Sequence, residues 1–247
     1  MKNLQKSLHD MAKARRRELL SYVFHVTESR VQTGPFKGMT IIPRYMWGDG
    51  DTAAKLLGIY EDELHKFIES AITQIPDIVI NVGCAEGYYS IGLASRLPNT
   101  TVIAVDIDNR ATKIVTDTAL TNQLKNIVAI TYSIDHSWLE QQCQDKINPL
   151  LVFDCEGAEL ELLNPTHISS LSKCSVIVEC HDCMNSVITK TLISRFESTH
   201  NIEQVFQTTK DPYQFKFLYH LSDCDKWALV QEGRPSTMNW LYMIPKV

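Results

Sequence analysis

Ile78-Val-Ile-Asn-Val-Gly-Cys-Ala-Glu-Gly-Tyr-Tyr-Ser90 is the stretch on which the reading of this chain turns. Residues 78–82 form a short, β-branched, mostly apolar run that ends on Gly83, the signature of a strand covered on both faces. From Tyr89 to Leu97 the apolar positions recur at helical spacing until Pro98 closes them. The turn 83–87 therefore joins a strand directly to a helix N-terminus. Such a junction leaves backbone N–H groups exposed, and glycine lets a ligand approach the backbone with no Cβ in the way. Further on, Thr101–Val105 reads as a second strand, and Asp106 closes it nineteen residues after Gly87. A carboxylate there can accept hydrogen bonds from both hydroxyls of a ribose.

Outward from this core the pattern repeats. A helix over 110–124 leads to a strand over 127–132, a fourth strand over 150–153 ends in Asp154, and a fifth over 175–179 ends in Glu179. A helix over 188–196 precedes two further strand candidates, 202–207 and 240–244, which suit a terminal antiparallel pair. Strands apolar on both faces and separated by helices specify an α/β fold with a parallel sheet covered on both sides, and the right-handed crossover rule fixes much of its topology. Before residue 76 the text differs. A helix over 2–30, a turn-rich passage and an amphipathic helix over 61–73 read as an N-terminal helical cap (1–75) on a core domain (76–247).

The charge around the glycine turn selects the nucleoside. A dinucleotide fingerprint needs G-x-G-x-x-G with a pyrophosphate at the helix N-terminus. Here the glycines fall at 83 and 87, with Ala85 between them, and Glu86 brings an anion to the turn. A pyrophosphate would be repelled; a sulfonium cofactor with an ammonium group, S-adenosylmethionine, would not. NAD is disfavoured on the same ground.

These residues carry a family resemblance. Asn81-Val-Gly-Cys-Ala-Glu-Gly-Tyr-Tyr-Ser90, Asp154-Cys-Glu-Gly-Ala-Glu159 and Val178-Glu-Cys-His-Asp182 resemble class I S-adenosylmethionine-dependent methyltransferases, and within them the FkbM-like group. The resemblance spans about residues 77–200, with weaker support from Gly58-Ile-Tyr-Glu61. It implies a Rossmann-like, doubly wound, seven-stranded sheet, mostly parallel, with an antiparallel last strand. It also implies a cofactor site made by Asn81, Gly83, Cys84, Ala85, Glu86, Gly87, Tyr88, Asp106, Ile107, Ser133 and Asp154. Gly83, Ala85 and Gly87 would line the methionine part, Asp106 would hold the ribose, and the turn through Tyr132, Ser133 and Asp135 would flank the adenine. Asn81 and Ala85 depart from the usual motif, in which an acid is common at the first of these positions.

In an open α/β sheet, ligands bind beyond the carboxyl ends of the strands. Asp106, Asp154, Glu156, Glu179, His181 and Asp182 gather there, and so many acids are costly without a counter-charge. Two readings relieve that cost. His181, with Asp154 and Glu179, acts as general base on an acceptor hydroxyl or amine; or Asp154, Glu179 and Asp182 hold Mg2+, which orients the acceptor oxygen. Against both stands a plainer account. Glu156 and Glu159 begin a helix, where acids favour the dipole regardless of function, and His181 serves as a satisfied turn residue. His200 is a lesser candidate. Trp47, Tyr60, Tyr213, Trp227 and Trp240 are candidate walls of an acceptor pocket, each equally explicable as core.

Composition sets the outer bounds. The 247 residues are 44% hydrophobic, enough for one sizeable core. With 24 basic against 29 acidic residues the net charge is −5, which argues against a nucleic-acid partner; the basic run 13–17 reads as a solvated helix face. No stretch is long enough to cross a bilayer and no secretory leader is seen. The seven cysteines suit free thiols in the cytoplasm. Cys180-x-x-Cys183 lacks the second pair that a structural zinc site requires. The expectation is thus an enzyme that O-methylates a small molecule, a sugar or secondary metabolite, with no membrane partner and an N-terminal helix equally able to cap or to form a homodimer. A rival chemistry in the same pocket attacks the aminobutyryl arm and releases methylthioadenosine. A non-catalytic binding module is opposed by the acids at the strand ends.

Overall fold

Seven strands alternate with helical segments, the first five on continuous apolar runs and β6 on a mixed one: β1 (Ile78–Val82), β2 (Thr101–Asp106), β3 (Ile127–Thr131), β4 (Pro149–Phe153), β5 (Ser175–Cys180), β6 (His200–Phe206) and β7 (Asn239–Pro245). In the computed structural model residues 2–46 and 50–246 are described, with side chains from Asp10 onward. The helices are α1 (Lys2–Val26), α2 (Thr52–Leu57), α3 (His65–Thr73), α4 (Tyr88–Arg96), α5 (Asn109–Thr121), α6 (His136–Cys143), α7 (Glu159–Leu162), α8 (Ile188–Phe196) and α9 (Asp223–Val230).

The strands form one sheet in the order β3-β2-β1-β4-β5-β7-β6. Pairing is parallel from β3 to β5, and β7 runs antiparallel to both β5 and β6. This is a Rossmann-like, mostly parallel sheet, as expected, with six parallel strands and one reversed. The strand order changes direction between β1 and β4, which places a crevice beyond their carboxyl ends.

Packing divides the chain into two units: Met1–Asp62 with Thr208–Gly233, and Glu63–Gln207 with Arg234–Val247. The sheet belongs to the second. On one face Ile80, Val82, Leu151, Phe153, Val176 and Val178 pack against Leu139, Leu162, Leu192 and Phe196 from α6, α7 and α8. Burial of each such side chain contributes about 1.5–3 kcal/mol. Helices α3, α4 and α5 supply none of that cluster; Phe67 of α3 meets Tyr242 of β7 at 4.7 Å between ring centroids. Residues 63–75 are therefore sheet-covering structure, where the sequence reading put them in the cap.

The first unit owes its second segment to long-range contacts. Arg15 of α1 donates through Nε and Nη2 to both oxygens of Asp225 on α9, at 3.0 and 2.7 Å. Buried Lys210 donates to Asp62 at 2.5 Å, and Tyr22 donates to the Phe217 carbonyl at 2.8 Å. The short helices α2, α6 and α9 have no counterpart in the sequence reading, which set the boundary at residue 75 because continuous apolar runs begin just after it. Among the described residues no helix is long and apolar enough to cross a membrane.

Candidate active site

The turn after β1 is built by strain and close approach. Gly83 sits at φ +76°, Ala85 at +44° and Gly87 at +90°. A Cβ on Gly83 would lie 1.7 Å from the Asp154 carbonyl oxygen, so glycine is required here by the neighbouring strand. At Gly87 a Cβ would come within 2.8 Å of Val115 Cγ2 of α5. The Gly83 and Cys84 amides both donate to the Val105 carbonyl, at 2.9 and 3.0 Å.

Asp106 organises the same turn from β2. Its Oδ2 accepts from the Ala85 amide at 3.0 Å and its Oδ1 from the Asp108 amide at 2.9 Å. Each oxygen retains a further lone pair. Ile107 beside it is 79% exposed, and Tyr132, at the equivalent place after β3, is 47% exposed; the Tyr132 amide donates to the Asp106 carbonyl at 3.0 Å. Two large apolar side chains stand open at adjacent strand ends. Ser133 is exposed beside them, while Asp135 is spent as the cap of α6, accepting from the Trp138 amide at 2.8 Å.

Asn81 is fully interior. Its Oδ1 accepts from the Ser90 hydroxyl at 2.7 Å and its Nδ2 donates to the Val152 carbonyl at 3.3 Å, which ties α4 and β4 to β1. Cys84 and Tyr88 are buried, and Glu86 is half-buried in the turn. Burial raises the Cys84 thiol far above its ordinary range, with the Asp106 charge adding to the effect.

The polar groups at the ends of β4 and β5 fall into three sets, and this corrects the expected assembly of Asp154, Glu179 and Asp182. Side chains alternate along β5: Val176, Val178 and Cys180 enter the core cluster, so Glu179 points to the opposite face. There it pairs with the Arg234 guanidinium, which stacks over Trp240 at 5.5 Å. Asp182 is bound by Thr189 of α8, whose amide donates at 3.1 Å and whose hydroxyl donates at 2.5 Å, and by Asn239 at 3.2 Å. Neither acid joins Asp154 in a ligand group.

The third set does converge. His181 is buried; its Nδ1 lies 2.7 Å from Glu159 Oε1. Its Nε2 lies 3.5 Å from Asp154 Oδ1 and 3.5 Å from Glu156 Oε2. Burial pulls the His181 pKa down, but the Glu159 hydrogen bond and the charges of Asp154, Glu159 and Glu156 outweigh it, and the net shift is upward. Free His181 is thus held more protonated at neutral pH than an ordinary histidine. The matching carboxyl of Glu159 is opposed by burial yet held low by the His181 bond. Glu156 and Glu159, for which a helix-start role was the plainer account, are members of this cluster. α7 is only four residues long, and Glu159 is fully buried against an imidazole.

Other candidates stand apart. His200 bonds Thr199 at 2.8 Å and the Cys174 carbonyl at 3.0 Å, a structural role at the start of β6. Cys180 is interior and Cys183 exposed; burial pushes the Cys180 thiol up to about 12. Of the candidate walls, Trp47 lies outside the described residues, Tyr60 and Trp240 are buried, and Tyr213 and Trp227 are partly exposed.

No family model and no curated protein matches the sequence. Solved structures similar to the chain include coclaurine N-methyltransferase bound to N-methylheliamine and SAH, at 13% identity over 98% of this chain and 94% of that one, TM-score 0.48. Precorrin-6y C5,15-methyltransferase from Geobacter metallireducens GS-15 matches at 10% identity over 83% and 94%, TM-score 0.48. The O-methyltransferase from Bacillus cereus in complex with SAH matches at 11% over 91% and 90%, TM-score 0.46. What those proteins share with this one at such distances is the general course of the chain.

Proposed function

We propose that the sheet unit binds S-adenosylmethionine across the carboxyl ends of β1, β2 and β3 and transfers its methyl group to an oxygen of a small molecule. The observation that carries this reading is Asp106, whose carboxylate ties the Gly83–Gly87 turn through Ala85 and keeps lone pairs for a diol. The exposed Ile107 and Tyr132 offer apolar faces to a purine on either side of that carboxylate. The donor set fits a nucleoside without phosphate: Glu86 lies in the turn, and its charge opposes a pyrophosphate at the N-terminus of α4. Gly83, Cys84, Ala85, Gly87, Tyr88 and Ser133 complete the cradle, with Asn81 holding its floor.

When bound, S-adenosylmethionine supplies an electrophilic methyl group. The chain's own work is then positioning, exclusion of water and removal of one proton from the acceptor. The Asp154 and Glu156 carboxylates lie beyond the end of β4, beside the crevice, and are the proton acceptors of this reading, with His181 as their counter-charge. Glu159 fixes the imidazole so that Nε2 faces Asp154 and Glu156. Glu179 has no part in it; its charge is met by Arg234.

Asp106→Asn tests the reading, because an amide keeps one acceptor oxygen but loses the charge-assisted diol contact. S-adenosylmethionine affinity should fall by about 10–100-fold, following roughly 1.5–3 kcal/mol for a hydrogen bond to a charged group. Unchanged affinity would contradict the assignment. With methyl-labelled cofactor and a panel of hydroxylated acceptors, the nucleoside product should be S-adenosylhomocysteine; methylthioadenosine would contradict methyl transfer.

A further inference from the structure

We propose that His181 Nε2, Asp154 and Glu156 bind one divalent transition-metal ion, with buried Glu159 holding the histidine in register for it. Binding of the ion does not depend on the cofactor reading above.

Three features of the cluster lead here. The first is the histidine. Its side chain is only 5% exposed, and its Nδ1 is committed to Glu159 at 2.7 Å. That bond fixes Nε2 as the nitrogen facing Asp154 and Glu156. A buried imidazole that donates one N–H to a carboxylate and turns the other nitrogen to further carboxylates has the outer-shell arrangement of metal-ligating histidines.

The second is spacing. Nε2 stands 3.5 Å from Asp154 Oδ1 and 3.5 Å from Glu156 Oε2, too far for good N–H···O bonds, which run to about 3.2 Å. Two atoms each about 2.1 Å from an ion and about 110° apart are themselves about 3.4 Å apart. One ligand atom from each of the three residues falls within 4.8 Å of the others. The gap is the size of an ion.

The third is charge. Asp154, Glu156 and Glu159 bring three carboxylates to one imidazole. Protonated, His181 cancels one of those charges; a divalent ion over a neutral imidazole cancels two. One nitrogen and two carboxylate ligands suit Mn2+ or Zn2+ better than Mg2+, which favours oxygen alone. Three protein ligands leave positions open for an acceptor oxygen, the arrangement of catalytic sites.

The test uses the full chain, treated with EDTA and titrated with Mn2+, followed by the loss of free-ion EPR signal and by calorimetry. One ion per chain is expected. Glu156→Ala, at an exposed position where folding is not at stake, should weaken binding at least tenfold. Glu159→Gln, which touches no ion, should weaken it by about 10–100-fold, and Asp182→Asn should leave it within twofold. No binding of Mn2+ or Zn2+ at millimolar concentration would overturn the proposal and leave His181 as the counter-charge of the acids. Binding undiminished in Glu156→Ala would overturn it too, since the ion would then sit elsewhere. Loss of S-adenosylmethionine binding with Mn2+ binding intact would count against the methyltransferase reading alone.

Discussion

Replacing Gly83 by alanine should cost the sheet unit about 3–5 kcal/mol, and the magnitude follows from three local terms. Gly83 lies at φ +76°, where an L side chain costs about 1–2 kcal/mol. Its new Cβ would stand 1.7 Å from the Asp154 carbonyl oxygen and 2.6 Å from the carbonyl carbon, against a floor of 3.0 Å for real Cβ contacts. The end of β4 would have to retreat by about 1.3 Å, which breaks the 3.0 Å bond from the Asp154 amide to the Val82 carbonyl, worth about 1 kcal/mol. The rest is packing around Val82 and Phe153, both buried on paired strands and felt at the level of single methylenes. Gly87→Ala is the internal comparison. It carries the same backbone strain, but its Cβ meets a side chain, Val115 Cγ2, at 2.8 Å, so its cost should stay near 2 kcal/mol. Urea denaturation followed by far-UV circular dichroism gives both values. A Gly83→Ala protein within 1 kcal/mol of wild type, or no less stable than Gly87→Ala, would refute the reasoning that neighbouring backbone dictates this glycine.

Ala85→Gly should raise stability by about 0.5–1 kcal/mol, because Ala85 is held at φ +44° where glycine is unstrained; a loss of stability on denaturation would count against it. Arg234→Met should destabilise by several kcal/mol, because it removes the guanidinium from buried Glu179, and adding Glu179→Gln should recover most of that; a strictly additive double-mutant cycle would show the pair is not coupled. For His200 burial lowers the pKa below 6.5, although the Cys174 carbonyl bond opposes the shift. The unfolded chain therefore binds the proton more readily, and stability present above pH 6.5 is lost as pH falls below it. His200→Gln should flatten that acid-side decline between pH 7.5 and 5.5, and denaturation curves with unchanged pH slope would contradict it.

Strands β1 to β5 were legible because each is a short continuous apolar run, and tertiary context only reinforces such runs. The glycine turn and Asp106 were legible for the same reason: the spacing from strand to turn to acid is local. What lay hidden was set by contacts between distant positions. Arg15 and Asp225 are separated by 210 residues, so nothing near either one announces that Thr208–Gly233 packs with the N-terminal segment. Arg234 and Glu179 are likewise 55 residues apart. The misplacing of Glu179 was avoidable, since Val178-Glu-Cys180 on a strand puts the acid on the face opposite its apolar neighbours. Glu156 and Glu159 stayed open between a helix-start role and the site, because the sequence does not show that Glu159, at the start of a four-residue helix, turns inward onto His181.

Calorimetric titration of the full chain with S-adenosylmethionine and, separately, with NAD is the most direct test. Binding of S-adenosylmethionine at one site per chain, weakened by Asp106→Asn, with no heat from NAD, is the result this account predicts. Folded protein that gives no heat with S-adenosylmethionine, or that prefers NAD, would leave the sheet as described and contradict the function assigned to it.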